Sequence, residues 1–328
     1  MGDLASHADI YSQQRRNRRI TMALIFGLSI LLGLLGYAVD AYSSGTLAIR
    51  GIPVATLLAL AFAGINGFVS YFYGQDIVLG SLHAHPLVFE NPSHKKLHNV
   101  VTEMSLASGI AMPKIYFIAD PAPNAFAAGR YPGNAVIGVT EGLLDVMSRE
   151  ELQAVVAHEV GHIKNNDILT MTVVTVLVGT VVLLSDWARR AWRLGGRRGR
   201  EKTKSLNPFI LLLIILLILV APIFSRVIAM AVSRQREYQA DASAAEFTRN
   251  PLALASALEK IAQATSPLRE AHRGTAHLFI SDPLQRKLDD REGLVADLLS
   301  THPPIQNRIH RLKRMAYVYS RPAVGQTG

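Results

Sequence analysis

The stretch "AVVAHEVGH", residues 154–162, decides how the rest of the chain is read. Two histidines and a glutamate sit in an otherwise apolar run. In a helix His158 and His162 stand four residues apart, on one face and about 6 Å apart along the axis. Two imidazoles so placed can share one metal ion. Glu159 lies about 100° round the helix from His158, too far round to be the obvious third ligand. It is well placed to reach the water that a catalytic site keeps in its open position. H-E-x-x-H on a helix is a signature of zinc hydrolases. A plain core helix is the competing reading, but burying two His and one Glu within five positions costs much desolvation free energy unless they have partners.

The start of that helix is marked. "SREE" places Ser148 as N-cap and Glu151 at the third helical position, a capping box. The chain has no cysteine, so disulfides and thiolate ligands are excluded and any metal must be held by His and carboxylate. A third protein ligand is therefore needed. "SRQREYQAD" (233–241) offers Glu237 and Asp241, again four apart on one helical face. One of the two can ligate; the other can accept the N–H of a ligating histidine and fix its tautomer.

Outward from this site the chain becomes apolar. Of its 328 residues 49% are hydrophobic and only 18% charged, which fits a partly membrane-embedded protein. Four stretches lack any charged residue: 20–39, 51–75, 168–185 and 205–225. Each is long enough to cross, or nearly cross, a hydrocarbon layer of about 30 Å. The first follows Arg15, Arg16, Arg18 and Arg19 and reads as an uncleaved signal anchor. The third is short and rich in Thr and Val, and a buried core helix is its competing reading. The net charge of +9 is clustered beside these runs, notably between Arg189 and Lys204. Such clusters are membrane-topology and headgroup signals; no nucleic-acid motif accompanies them, and no nucleic-acid partner is expected. Similar positive charge falls on both faces, so charge alone leaves the orientation open.

The polar stretches fall between these runs. "KIYFI" (114–118), "NAFAA" (124–128) and "NAVIGV" (134–139) read as short strands. "PLALASALEKIAQA" reads as a helix with Asn250 as cap and Pro251 at its first position. A last helix follows "THPP", with Ile305, Ile309 and Leu312 on one stripe. Four sections result: 1–75 with a pair of transmembrane helices, 76–167 ending in the H-E-x-x-H helix, 168–232 with the third and fourth apolar runs, and 233–328 with the third ligand. The fold class is α+β, predominantly helical, with a small sheet and up to four transmembrane helices. Gly161 is uncomfortable inside a helix, at about 1 kcal/mol relative to alanine, and points to close approach of another backbone. His83 and His85 read as loop residues; His94, His98, His272, His277 and His310 have no partner pattern.

The order of blocks "NAFAAGR" (124–130), "VTEGLLD" (139–145), "ELQAVVAHEVGHIKNND" (151–167), "SRQREYQAD" (233–241) and "HPPIQNRI" (302–309) resembles that of the HtpX-type membrane metalloproteases, in the wider group that includes the CaaX prenyl proteases. The resemblance covers nearly the whole chain. It implies a membrane-anchored zincin-like domain holding one Zn2+ on His158, His162 and Glu237. It implies Glu159 as general base, and Asp241 as the partner of His158. It further implies His302 as an oxyanion donor with Arg308 nearby, and Asn124, Ala125 and Phe126 on a substrate-binding edge. An integral-membrane zinc endopeptidase follows, with protein or peptide substrates, lipid around it, and a cytoplasmic catalytic face in the cell inner membrane. Misfolded or damaged membrane proteins are the implied substrates. A prenyl-protein processing protease and a catalytically silent zinc-containing scaffold are the alternatives; a silent site would typically have lost Glu159.

Overall fold

The computed structural model describes residues 2–43, 51–198, 234–264, 268, 275–281 and 303–320. Two long helices come first, α1 (Gly2–Ser43) and α2 (Val54–Ser81). They form an antiparallel hairpin whose far end is closed by Asp40. Its carboxylate accepts from the amides of Ala55 (3.0 Å) and Thr56 (2.7 Å) and from the Thr56 hydroxyl (2.7 Å). These amides belong to the first turn of α2, where no intrahelical acceptor exists.

A four-stranded mixed sheet follows, in the order β1 (His85–Pro86), β2 (Lys114–Ile118), β4 (Ala135–Thr140), β3 (Ala125–Gly129). β1 and β2 are antiparallel, β2 and β4 parallel, β3 and β4 antiparallel. The three longer strands fall within one residue of the sequence reading. β3 and β4 are buried along their whole length, so their sequences are continuous apolar or small-residue runs rather than alternating ones.

Helices cover the sheet: α3 (Pro92–Ser108), α4 (Glu141–Val146), α5 (Arg149–Lys164), α6 (Asp167–Arg198), α7 (Arg234–Thr248), α8 (Pro251–Gln263) and α9 (Ile305–Ser320). Their ends are set by local chemistry. Asn91 caps α3 with Pro92 following, and Gly109 ends it in the left-handed conformation (φ 73°). Ser148 and Glu151 form the reciprocal capping box of α5. Asn250 caps α8. One core is built from α3, α5, α8 and the inner faces of β3 and β4, with Ile309 and Leu312 of α9 added. A second joins α2, α6 and the other face of the sheet.

Among the described residues three helices are long and apolar enough to cross a membrane, over Arg15–Ala41, Val54–Ser81 and Asp167–Leu184. The first two are mostly exposed, as lipid-facing helices are, whereas 72% of the third is buried against its neighbours. The third apolar stretch thus combines the two readings its sequence allowed: span length, and the burial of a core helix. Small and β-branched residues let it pack closely, with Thr172 against Gly74 of α2. Its helix continues through Arg198, into the basic segment 189–204. The fourth apolar stretch, 205–225, lies outside the described residues.

Candidate metal centre

The two histidines project from the C-terminal half of α5, and the third group comes from the first turn of α7. These helices can lie side by side because of Gly161. A Cβ there would stand 3.2 Å from Ser243 Cβ and 3.3 Å from Ala240 Cα. The sequence reading of Gly161 as a point of backbone approach is explained by α7. The approach brings Glu237 over the H-E-x-x-H face. Its Oε2 is 3.7 Å from His158 Nε2 and its Oε1 is 3.7 Å from His162 Nε2. Ligands about 2.0–2.1 Å from one tetrahedral ion stand about 3.4 Å from one another, so the three groups fit a single zinc with little adjustment. Among the described residues this is the one cluster of His and carboxylate groups close enough to hold an ion.

Each imidazole is turned by a carboxylate behind it. His158 Nδ1 faces Asp241 Oδ1 at 3.0 Å, and His162 Nδ1 faces Asp167 Oδ2 at 3.3 Å. With Nδ1–H donated backwards, each Nε2 is left as the metal-facing lone pair. Asp241 was visible in sequence; Asp167 was not singled out, although it closes the block "HIKNND" five residues after His162.

Arg308, fully buried, closes the site from α9. Its Nε and one terminal nitrogen donate to the two oxygens of Asp241 at 2.9 and 2.7 Å. The other terminal nitrogen donates to the Ile280 carbonyl at 2.7 Å and lies 3.3 Å from Glu237 Oε2. The expectation placed Arg308 beside His302; the structure sets it between Asp241 and Glu237, balancing two buried carboxylates. Position 302 lies outside the described residues.

The electrostatics follow from burial and these contacts. Burial, then the positive Arg308, pushes His158 down to about 4 in spite of Asp241. Burial also opposes charge on His162, but its hydrogen bond to Asp167 and the negative Glu237 and Glu159 outweigh it and raise it to about 9. Asp241 is held below the usual carboxylate range, burial being outweighed by Arg308 and His158. Glu159 is buried in the same helix turn as His158.

Asn124, Ala125 and Phe126 stand at the free edge of the sheet, but that edge is already engaged. The Ile280 amide donates to the Ala125 carbonyl at 3.0 Å. Asn124 Nδ2 donates to the Ser281 carbonyl at 3.2 Å. The Phe126 and Phe279 rings meet edge to face at 5.6 Å. Among the described residues no other histidine joins the metal cluster. His94 is a buried core residue that accepts the Val88 amide and packs at a tilt against the Phe117 ring. His85 lies in β1, His83 in the turn before it, and His310 is exposed on α9. Position 272 falls outside the described residues, and the side chain at 277 is not described.

The model of Peptidase family M48 matches residues 92–316, which takes in the three longer strands, both metal-bearing helices and most of α9. The chain belongs to peptidase family M48. Full-length relatives agree. It is 43% identical over 308 residues to a protease HtpX homolog of Caldanaerobacter subterraneus subsp. tengcongensis, covering 93% of this chain and 98% of that one. It is 41% identical over 270 residues to one of Thermococcus sibiricus (82% and 89%), and 37% identical over 309 residues to one of Limosilactobacillus reuteri (93% and 100%). Among solved structures, that of S. mikatae Ste24p matches with a TM-score of 0.47 and 17% identity, covering 92% of this chain and 67% of that one. Within the M48 family, the His158, His162 and Glu237 donor set implies zinc, and the protein is a zinc metalloendopeptidase with several candidate membrane helices.

Proposed function

We propose that this M48 peptidase cleaves segments of membrane proteins where they emerge from the bilayer, on the cytoplasmic face of the cell membrane, and that damaged or misfolded chains are its substrates. The observation that carries this reading is the position of the site. His162 is five residues from Asp167, which opens both α6 and the candidate span Asp167–Leu184. A peptide bond can reach the centre only at the level where spans leave the hydrocarbon.

His158, His162 and Glu237 would hold the zinc, which would supply Lewis-acid polarisation of a scissile carbonyl and a water nucleophile competent near neutral pH. Glu159 takes a proton from the attacking water and passes it to the leaving amine. Asp241 holds His158 in orientation, and Arg308 keeps Asp241 ionised and fixed by a two-point contact. An extended substrate would lie along the Asn124–Ala125–Phe126 edge by main-chain hydrogen bonds. Residues 279–281 hold that edge, so binding there requires their displacement, which folded chains without a free extended segment would not achieve. His302, by resemblance, would donate to the oxyanion.

The test compares detergent-purified wild type and Glu159→Gln, both zinc-loaded and assayed for metal content, on unfolded casein and on a membrane protein in folded and destabilised forms. The expected result is cleavage by wild type alone, with the destabilised form cut faster. Equal cutting of both forms of the membrane protein would refute the substrate class; equal cutting by both enzymes would refute the role of Glu159.

A further inference from the structure

Asp167 joins parts of the chain that are far apart in sequence. One oxygen faces His162 Nδ1 at 3.3 Å. The other accepts from Asn17 Nδ2 at 2.8 Å, across 150 residues of chain, and lies 3.8 Å from Arg236 Nε. Both Asn17 and Asp167 are buried. Asn17 belongs to the first candidate span, Arg15–Ala41. Arg236 immediately precedes the ligand Glu237. At 3.8 Å its guanidinium contributes charge but not a directed bond.

A carboxylate behind a metal-binding histidine works only if it cannot turn. Nδ1–H of His162 needs an acceptor in one place, or the ring rotates and Nε2 leaves its position near Glu237. Asp167 sits at the first turn of α6, and its second oxygen needs a lock of its own. The Asn17 amide supplies it: with one oxygen engaged by Asn17, the other is fixed toward His162. One helical turn further along, Thr21 Oγ1 and Thr170 Oγ1 meet at 3.0 Å. That contact docks the same two helices without touching the carboxylate.

We infer that Asp167 is a positioning residue for His162 and that Asn17, on the first membrane helix, is a positioning residue for Asp167, so that the metal centre is complete only with α1 docked. This rests on the zinc centre and not on what the enzyme cuts.

The test uses the full chain in detergent, with Asn17→Ala, Asn17→Asp and Thr21→Val beside wild type. Asn17→Asp keeps the size and removes the donor. Zinc transfer to a chelator is timed, and the visible spectrum of the cobalt(II)-substituted protein is recorded; neither depends on cleavage. Loss of this type of support weakens metal binding about 10–100-fold. Both Asn17 variants should release zinc at least about tenfold faster, with a shifted cobalt spectrum, while Thr21→Val matches wild type. Wild-type release rates and spectra in folded Asn17→Asp would overturn the inference. So would equal acceleration in Thr21→Val, which would make helix docking in general the cause.

Discussion

Replacing Gly161 by alanine separates two effects that oppose each other in this fold. Helix propensity alone favours alanine by about 1 kcal/mol. Packing opposes it. The new methyl would stand 3.2 Å from Ser243 Cβ, 3.3 Å from Ala240 Cα and 3.4 Å from the Ala240 carbonyl oxygen. Comfortable carbon contacts lie at about 3.5–4.0 Å. Ser243 is a side chain, but Ala240 is helix backbone, so relief requires α5 and α7 to part by about 0.3–0.5 Å. Overpacking of this type costs about 1–3 kcal/mol, leaving a net loss of about 0–2 kcal/mol. The larger consequence is local. Glu237 is three residues before Ala240 on the same helix, and metal distances tolerate only about 0.2 Å. Gly161→Ala should therefore fold, lose little stability without metal, and bind zinc at least about tenfold more weakly. Thermal unfolding with and without zinc, together with chelator competition, measures both parts. A variant about 1 kcal/mol more stable, with unchanged zinc affinity, would refute the account of Gly161 as the residue that sets the ligand spacing.

Two further predictions concern buried charge. Arg308→Met leaves Asp241 and Glu237 without the guanidinium that spans them; the metal-free protein should lose about 3–5 kcal/mol, and zinc, by restoring positive charge beside Glu237, should recover part of it in a thermal shift assay. Glu151 accepts from the Ser148 amide (2.8 Å), Ser256 (2.7 Å) and Lys260 (2.7 Å), tying α5 to α8. Burial raises its pKa, but these partners bring it below the ordinary value. Its contribution is therefore present above the unfolded-state carboxylate pKa and lost as pH falls through the depressed folded one. Glu151→Gln should cost about 1–2 kcal/mol at pH 7, with half-exposed Lys260 partly screened. Denaturant titrations should show the gap to wild type closing as pH falls through that depressed pKa; an equal gap at all pH values would place the effect in packing instead.

What the sequence could reveal follows the range of the interactions. The capping box, the spacing of His158 and His162 and the strand at 114–118 are set by neighbours within a few residues, and they are legible as written. The third donor was legible as a pair for a different reason: a two-histidine centre demands one more ligand, and Glu237 and Asp241 lie four apart on a helix near the end of an apolar run, while the choice of Glu237 came from the family resemblance. Arg308 entered only through the family resemblance, since nothing within ten residues of it is acidic. Only the fold turns it inward between Asp241 and Glu237. Asp167 had the same concealment, reading as a polar boundary before an apolar run. The depth of α6 was hidden too, because lipid and neighbouring helices ask for the same apolar composition. Lipid does not need Thr, however. Thr170, Thr172 and Thr175 on α6 are all buried, and the first two contact α1, α2 or β3 through Thr21, Gly74 and Gly129. A hydroxyl-rich apolar run next to a metal motif is thus a sign of a span packed against protein. Here that packing places the start of α6, with Asp167 on it, directly behind a zinc ligand. The ligands themselves are a local pattern, while their orientation is held by residues 17, 167, 241 and 308, and those converge only because the membrane helices and the peptidase domain share one packed interface.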